Sequence, residues 1–402
     1  MANPPASDFL GKRALLLQPL RDVKASAHLD ALRGIAAIAV LGFHFRGTFF
    51  VDLDPARAGW LLRLFYFMTD LGHQAVMIFF VLSGYLIGAS VLRNFHEQRW
   101  SWQPYLINRL SRLWTVLIPA LVLGALWDRG GMFWFGTGGI YGGKVVNASI
   151  SAPILPASNA ITMLGNALFL QRVLVPTFGS NGPLWSLTYE FWYYILFPLL
   201  LLMVWPGNRK DSRIAGLAGF SIVVVGLGST ISRAFAIWLM GAGLNFLPTI
   251  EKLNRKTIRL GTLALFFPAL VPSAHHAPFL RYSLLNDLWV GGFTTLLIYI
   301  LLQDRRTSVG GRYPDLDARV AGFSYTLYLV HLPLLVFLKA LILPHSRWQM
   351  DVWSILTGGI IIAAILGYAL AVASQTEART SEVRGMVMKV LGRRLAPGGS
   401  IA

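Results

Sequence analysis

The chain has 402 residues, 55% of them hydrophobic and 13% charged, and a mean hydropathy of +0.57. A soluble domain carries about 25% charged residues, so this composition excludes one and calls for a bilayer. The absence of cysteine excludes a disulfide scaffold, a thiolate zinc site and a cysteinyl acyl intermediate, and the net charge of +17 needs its distribution read before it is taken for a nucleic-acid footprint.

Ten apolar stretches follow one another: 29–50, 72–92, 113–127, 183–205, 214–231, 234–249, 258–272, 287–303, 320–343 and 352–374. At about 20 residues per crossing they fit a membrane as helices, because lipid-facing backbone must satisfy its own hydrogen bonds. With the N-terminus inside, the cytoplasmic segments hold 24 Lys and Arg against nine on the outer side. This asymmetry is the positive-inside pattern, so the charge orients the chain and no nucleic-acid partner is expected. The expected fold is an all-α, polytopic transmembrane helix bundle with both termini cytoplasmic, a multi-pass protein of the inner (plasma) membrane in contact with its lipids. It divides into a cytoplasmic segment 1–28, a membrane domain 29–374 and a basic tail 375–402. The first 28 residues show no cleavage site, so the first span is expected to serve as an uncleaved anchor.

Residues 158–175 test the count, being apolar enough to cross yet carrying Asn159, Asn166, Gln171 and Arg172. A crossing there would move 16 Lys and Arg to the outer side. The segment is therefore expected to lie in or dip into the outer face, within a glycine-rich loop from Asp128 to Gly182. A loop of that length is functional or disordered as a rule.

Ionisable groups at membrane depth are functional candidates because each costs a few kcal/mol to place there. In the first span Arg33 and His44 are eleven residues apart, so they share a helix face about 16 Å apart along the axis. Arg33 falls near the cytoplasmic surface and His44 near the outer leaflet; alternatively, Arg33 snorkels and His44 bonds a neighbouring helix. In the second span Ser83-Gly84 reads as a close helix contact or as a reactive hydroxyl. Arg109 and Arg112, one turn apart before the third span, suit phosphate oxygens or simply mark topology. In the fourth span Glu190 is expected two turns inside the outer surface, at a depth like that of His44, with Ser186 one turn before it. The aromatic residues around it suit a sugar face or an interfacial belt. In the ninth span Ser324, Tyr328 and His331 share one face, and His331 is a catalytic candidate or a packing residue. No metal-ligand set is expected.

Taken together, these stretches resemble the membrane-bound acyltransferase-3 family. The resemblance rests on Leu29-Asp30-x-Leu32-Arg33-Gly34, Arg33 with His44, Phe79-Phe80-x-x-Ser83-Gly84 and Arg109-x-x-Arg112. It also rests on Trp185-Ser186-Leu187-x-x-Glu190 and Tyr325-x-x-Tyr328-Leu329-x-His331. Two positions depart from the commoner pattern, Tyr85 where Phe is frequent and Asn108 where a further basic residue often stands. The resemblance implies an integral membrane enzyme that moves an acyl group, usually acetyl, from cytoplasmic acyl-CoA to a sugar hydroxyl of a surface glycan or its lipid-linked precursor. No tightly bound cofactor is implied, acyl-CoA being a co-substrate, and a separate periplasmic or glycan-assembly protein is an expected partner. It implies catalytic roles for His44, Glu190 and His331, and donor binding by Arg33, Arg109, Arg112 and Ser83.

The residues also allow another class, a proton-coupled sugar or lipid exporter, since intramembrane Arg, His and Glu would serve it. The absence of an inverted repeat speaks against that reading.

Overall fold

The computed structural model describes residues 23–54, 58–143, 150, 152–274, 283–304 and 322–395. Residues 1–22 of the N-terminal segment, most of the basic loop 304–319 and the end of the tail lie outside the described residues. The described residues form helices α1 (Val23–Phe49), α2 (Trp60–Met68), α3 (Gly72–His96), α4 (Trp102–Phe135), α5 (Ala160–Ala167) and α6 (Trp185–Val204). They continue with α7 (Lys210–Gly243), α8 (Lys256–Ala274), α9 (Ser283–Leu301), α10 (Ser324–Ile342), α11 (Val352–Gln375) and α12 (Thr380–Leu395). The fold is all-helical, and nine helical stretches among the described residues are long and apolar enough to cross a membrane.

One of those stretches is two limbs. Inside α7, Gly228 has φ 76° and ψ 172°, a backbone open to glycine and closed to most side chains. Across it Ser232 Oγ donates to the Val224 carbonyl at 3.1 Å, and the Phe220 and Phe235 rings lie 6.5 Å apart. Fifteen residues of unbroken helix would separate those rings by about 22 Å. The chain therefore reverses at Gly228, and counting the limbs separately gives the ten spans expected from sequence.

The described residues fall into two compact units. The first is built from those of Met1–Arg46, Asp52–Trp100 and Trp185–Ala321. Here α3 crosses the second limb of α7 at backbone contact: a Cβ on Gly84 would lie 1.9 Å from the Trp238 carbonyl oxygen, and one on Gly241 1.9 Å from that of Val81. The first limb of α7 packs on α6 through Gly216, whose Cβ would meet the Leu199 carbonyl at 2.9 Å. Helix α9 packs on α3, α7 and α8. Phe43 of α1 seats its ring on Gly72, where a Cβ would lie 2.5 Å from Phe43 Cγ. The N-terminal end of α1 is tied by His28, whose Nε2 is 3.4 Å from Asp304, a carboxylate that also pairs with Arg259 at 3.0 Å.

The second unit is built from the described residues of Gly47–Val51, Ser101–Leu184 and Gly322–Ala402. Helices α4 and α10 run in the same direction, as the third and ninth of ten spans must. Tyr325 Oη donates to the Leu113 carbonyl at 3.3 Å, Pro333 faces Gly124, and Phe337 and Trp127 meet at 4.9 Å between ring centroids. Glu377 accepts from the Thr326 N–H and hydroxyl at 3.1 and 2.9 Å, a carboxylate at the start of α10. Helix α11 opens on a capping box between Asp351 and Ser354. Residues of the basic tail form α12, which packs on α4.

The 158–175 segment does not cross. Its helix α5, N-capped by Asn159, has eight residues, about 12 Å of length. The Gly179 N–H donates to the Ala157 carbonyl at 3.1 Å and the Ser180 N–H to Asp128 at 2.8 Å, so the segment enters and leaves at one place. Its tip lies against Trp114, which donates to the Ala167 carbonyl at 2.8 Å and stacks on Phe169. From Asp128 to Trp114, α4 rises about 21 Å. This is a re-entrant hairpin lying along α4.

Two measurements check this architecture. In this cysteine-free chain, an impermeant thiol reagent on intact cells should label Thr137→Cys and Ser229→Cys and leave Lys210→Cys unlabelled until the membrane is opened. Equal labelling of positions 210 and 229 would reject the α7 hairpin as a pair of crossings. Gly84→Ala should lower the unfolding midpoint in detergent by an amount equivalent to about 1–3 kcal/mol, since the new Cβ overlaps backbone that cannot rotate away.

Candidate functional site

The close contact at Gly84 and Gly241 fixes a polar cluster inside the first unit. Trp238 Nε1 donates to Ser83 Oγ at 3.2 Å, and Ser83 Oγ lies 3.3 Å from Glu190 Oε1. Tyr194, one turn after Glu190 on α6, donates to the same carboxylate oxygen. Ser83-Gly84 is thus a helix contact and part of a polar cluster at once: the glycine brings the backbones together, and the serine then meets the carboxylate. Trp238 and Tyr194 escaped the sequence reading. The i, i+4 spacing of Glu190 and Tyr194 was the available signal for one; nothing in sequence couples residues 83 and 238.

Helix α1 runs unbroken through Arg33 and His44, so their shared face and separation of about 16 Å hold. Arg33 pairs with Asp30 at 2.9 Å one turn earlier. His44 is half-buried and meets the edge of Phe43 at 5.1 Å between ring centroids. The expectation that Glu190 shares the depth of His44 is corrected by the structure. Phe43 sits on Gly72 at the start of α3, whereas Glu190 bonds Ser83, eleven residues further along that helix. Those eleven residues rise about 16 Å, which returns Ser83 and Glu190 to the level of Arg33. Depth counted from the first residue of the apolar run does not place Glu190; its bond to Ser83 of α3 does.

Two features at the His44 end of this unit had no sequence signal. A cavity of about 460 Å³ is lined by Arg46, Arg63, Tyr66, Phe67 and Asp70. Arg46 pairs with Asp70 at 2.5 Å and lies over the Tyr66 ring. Residues two apart on a helix point away from each other, so Arg46 and this cavity lie on the side of α1 opposite His44. The second feature is His73, whose Nε2 lies 2.6 Å from Asp287 of α9, with Trp185 nearly parallel to its ring.

In the second unit Arg109 is half-buried with its guanidinium 5.6 Å from the centre of the buried Tyr105 ring, while Arg112, one turn on, is exposed. His331 is fully buried, and its Nδ1 is 2.9 Å from the Leu327 carbonyl. A carbonyl only accepts, so Nδ1 carries the proton and Nε2 the lone pair. Around it Asn181 donates to the Leu329 carbonyl at 2.8 Å and Tyr328 to that of Pro183 at 3.0 Å. Buried Asp128 holds the neck of the re-entrant hairpin, and Tyr141 sits over Gly131, one turn later on α4. Burial, with the Asp128 carboxylate nearby, pushes the Tyr141 phenol well above its usual range. Among the described residues no group of three His, Cys, Asp or Glu could hold a metal ion.

No solved structure is a significant match to the chain. It is 25% identical over 396 residues to the acyltransferase MdmB of Streptomyces mycarofaciens, covering 91% of this chain and 92% of that protein. Residues 26–372 match the acyltransferase-3 family, described as an acyltransferase domain. That match spans every membrane helix through α10 and nearly all of α11, and the chain belongs to the acyltransferase-3 family as a multi-pass membrane acyltransferase.

Proposed function

We propose that the protein is an O-acyltransferase of the inner (plasma) membrane that takes an acyl group, acetyl by preference, from cytoplasmic acyl-CoA. The acceptor is a sugar hydroxyl of a surface glycan or its lipid-linked precursor, handed on by a separate periplasmic or glycan-assembly protein. The observation that carries the reading is the half-buried His44, eleven residues along one helix from Arg33, in a chain of this family. Acyl transfer to a hydroxyl needs a base, and a neutral imidazole has a suitable pKa.

On this reading Arg33, Arg109, Arg112 and Ser83 serve the donor. Guanidinium forks suit the phosphates of CoA, and Ser83 shares the level of Arg33. His44 takes the proton of the acceptor hydroxyl as its oxygen attacks the thioester carbonyl; the C–S bond breaks and the electron pair leaves with the CoA sulfur. Glu190, bonded to Ser83 and Tyr194, acts at the donor level and does not orient His44. His331 is the second candidate for the base, because its proton is committed to Leu327.

Purified enzyme given labelled acetyl-CoA alone should form no covalent acyl-enzyme. Well-folded His44→Ala should lose about 10²–10⁴-fold in transfer rate. A chemically competent acyl-enzyme that disappears in that variant would overturn direct transfer, and retained activity would move the base to His331. Arg109→Ala and Arg112→Ala should each weaken acetyl-CoA binding by about 1.5–3 kcal/mol, the worth of a charge-assisted contact. Unchanged affinity in both would return them to the role of topology markers.

A further inference from the structure

His73 and Asp287 are 214 residues apart in sequence and meet at the ends of α3 and α9. The carboxylate can only accept, so Nε2 of His73 donates to Asp287 Oδ1 at 2.6 Å and Nδ1 is left for another partner. The histidine side chain is 47% exposed and the aspartate behind it 15%, so the more buried carboxylate orients the outer imidazole. Trp185 lies 6.4 Å from His73, its plane tilted by only 19° from the imidazole. The indole is held edge-on by Tyr189 at 5.0 Å and by Phe80 at 6.2 Å, which makes it a rigid platform. The position also fits. Phe43 packs on Gly72, so His44, near the C-terminal end of α1, and His73, at the N-terminal start of α3, flank one contact between the two helices.

We propose that His73, Asp287 and Trp185 form the acceptor subsite and that it takes an uncharged hydroxylated ring. This rests on the O-acyltransferase reading above and adds to it the class of acceptor. Nδ1 shares a hydrogen bond with a hydroxyl beside the one that reacts, since a hydroxyl both donates and accepts, and the indole face carries the C–H face of the ring. Phosphate or carboxylate is the wrong partner, because it would bring a second negative charge towards the Asp287 carboxylate. His73 is a binding group here; the reacting proton goes to His44.

The test uses the full-length enzyme in lipid nanodiscs with acetyl-CoA and two sets of probes, methyl glycosides of neutral hexopyranoses and of the matching uronic acids. Thiol release and the mass of the product are followed together. Wild type should acetylate a neutral glycoside in preference to its uronate. Trp185→Leu and Asp287→Asn should each raise the KM for that glycoside by about tenfold, with kcat and the KM for acetyl-CoA moving by less than about twofold. Asp287→Asn supports a structure from behind and is the variant more prone to misfold; Trp185→Leu changes a half-buried side chain and keeps the proposal open to refutation. A fall in kcat at constant KM would overturn the proposal and make His73 a proton acceptor. So would preference for the uronate or an unchanged acceptor KM. Thiol release with other hydroxyl acceptors but with no glycoside would reject the subsite and leave the acyltransferase reading standing. No thiol release with any acceptor would remove that reading itself.

Discussion

Hydrocarbon offers no hydrogen bonds, so backbone that leaves the helical ladder in this bundle needs partners from the protein itself. The re-entrant hairpin is possible only because side-chain amides replace the backbone ladder it lacks. Asn166 donates to the Thr162 and Pro176 carbonyls and accepts from the Phe178 N–H; Gln171 donates to the Leu184 carbonyl, and Asn181 to that of Leu329. Lys339, fully buried near the end of α10, spends its ammonium on the carbonyls of Leu343 and Ser346, where a helix leaves acceptors unfilled. Polar residues that look like defects in an apolar sequence are what hold the non-helical chain in place.

The same constraint shapes the polar cluster. Helices in lipid gain little from hydrophobic burial against each other and associate where small residues let backbones meet. Gly84 and Gly241 provide that meeting, and the hydroxyl of Ser83, the indole of Trp238 and the carboxylate of Glu190 are thereby forced into contact. Close packing at Gly84 and the polar contacts of Ser83 are therefore one feature.

Span number, helical class and the failure of 158–175 to cross were all legible, because length, charge asymmetry and four polar residues carry that information locally. The turn at Gly228 was legible as the gap between 231 and 234, shifted by a few residues because a glycine in an apolar run gives no polar signal. Single candidate residues could be picked out where their types are costly at membrane depth: Arg33, His44, Glu190 and His331. Their grouping was not. Glu190 is given the depth of His44 when one residue of apolar run is taken as one residue of depth, whereas its bond to Ser83 sets its level. His73 and Asp287 sit at span ends, where polar residues are ordinary, and only the fold brings them together.

Depth along the helices then separates two sets of groups in the first unit. Arg33 and the Ser83–Glu190 cluster share one level; His44 and His73 share another, about 16 Å away by helical rise. A soluble acyltransferase has no need to divide its groups so, because both substrates arrive from one solvent. A membrane enzyme whose donor is a cytoplasmic polyanion does. The phosphates of CoA must stay near water and cations, while the thioester, carried on an uncharged arm, can advance into the bundle. On the proposed reading the distance between the two levels is therefore a consequence of the donor's chemistry. Moving the base down to the arginine level would bring the acceptor to the charged end of CoA, and moving the arginines up would take the phosphates into hydrocarbon.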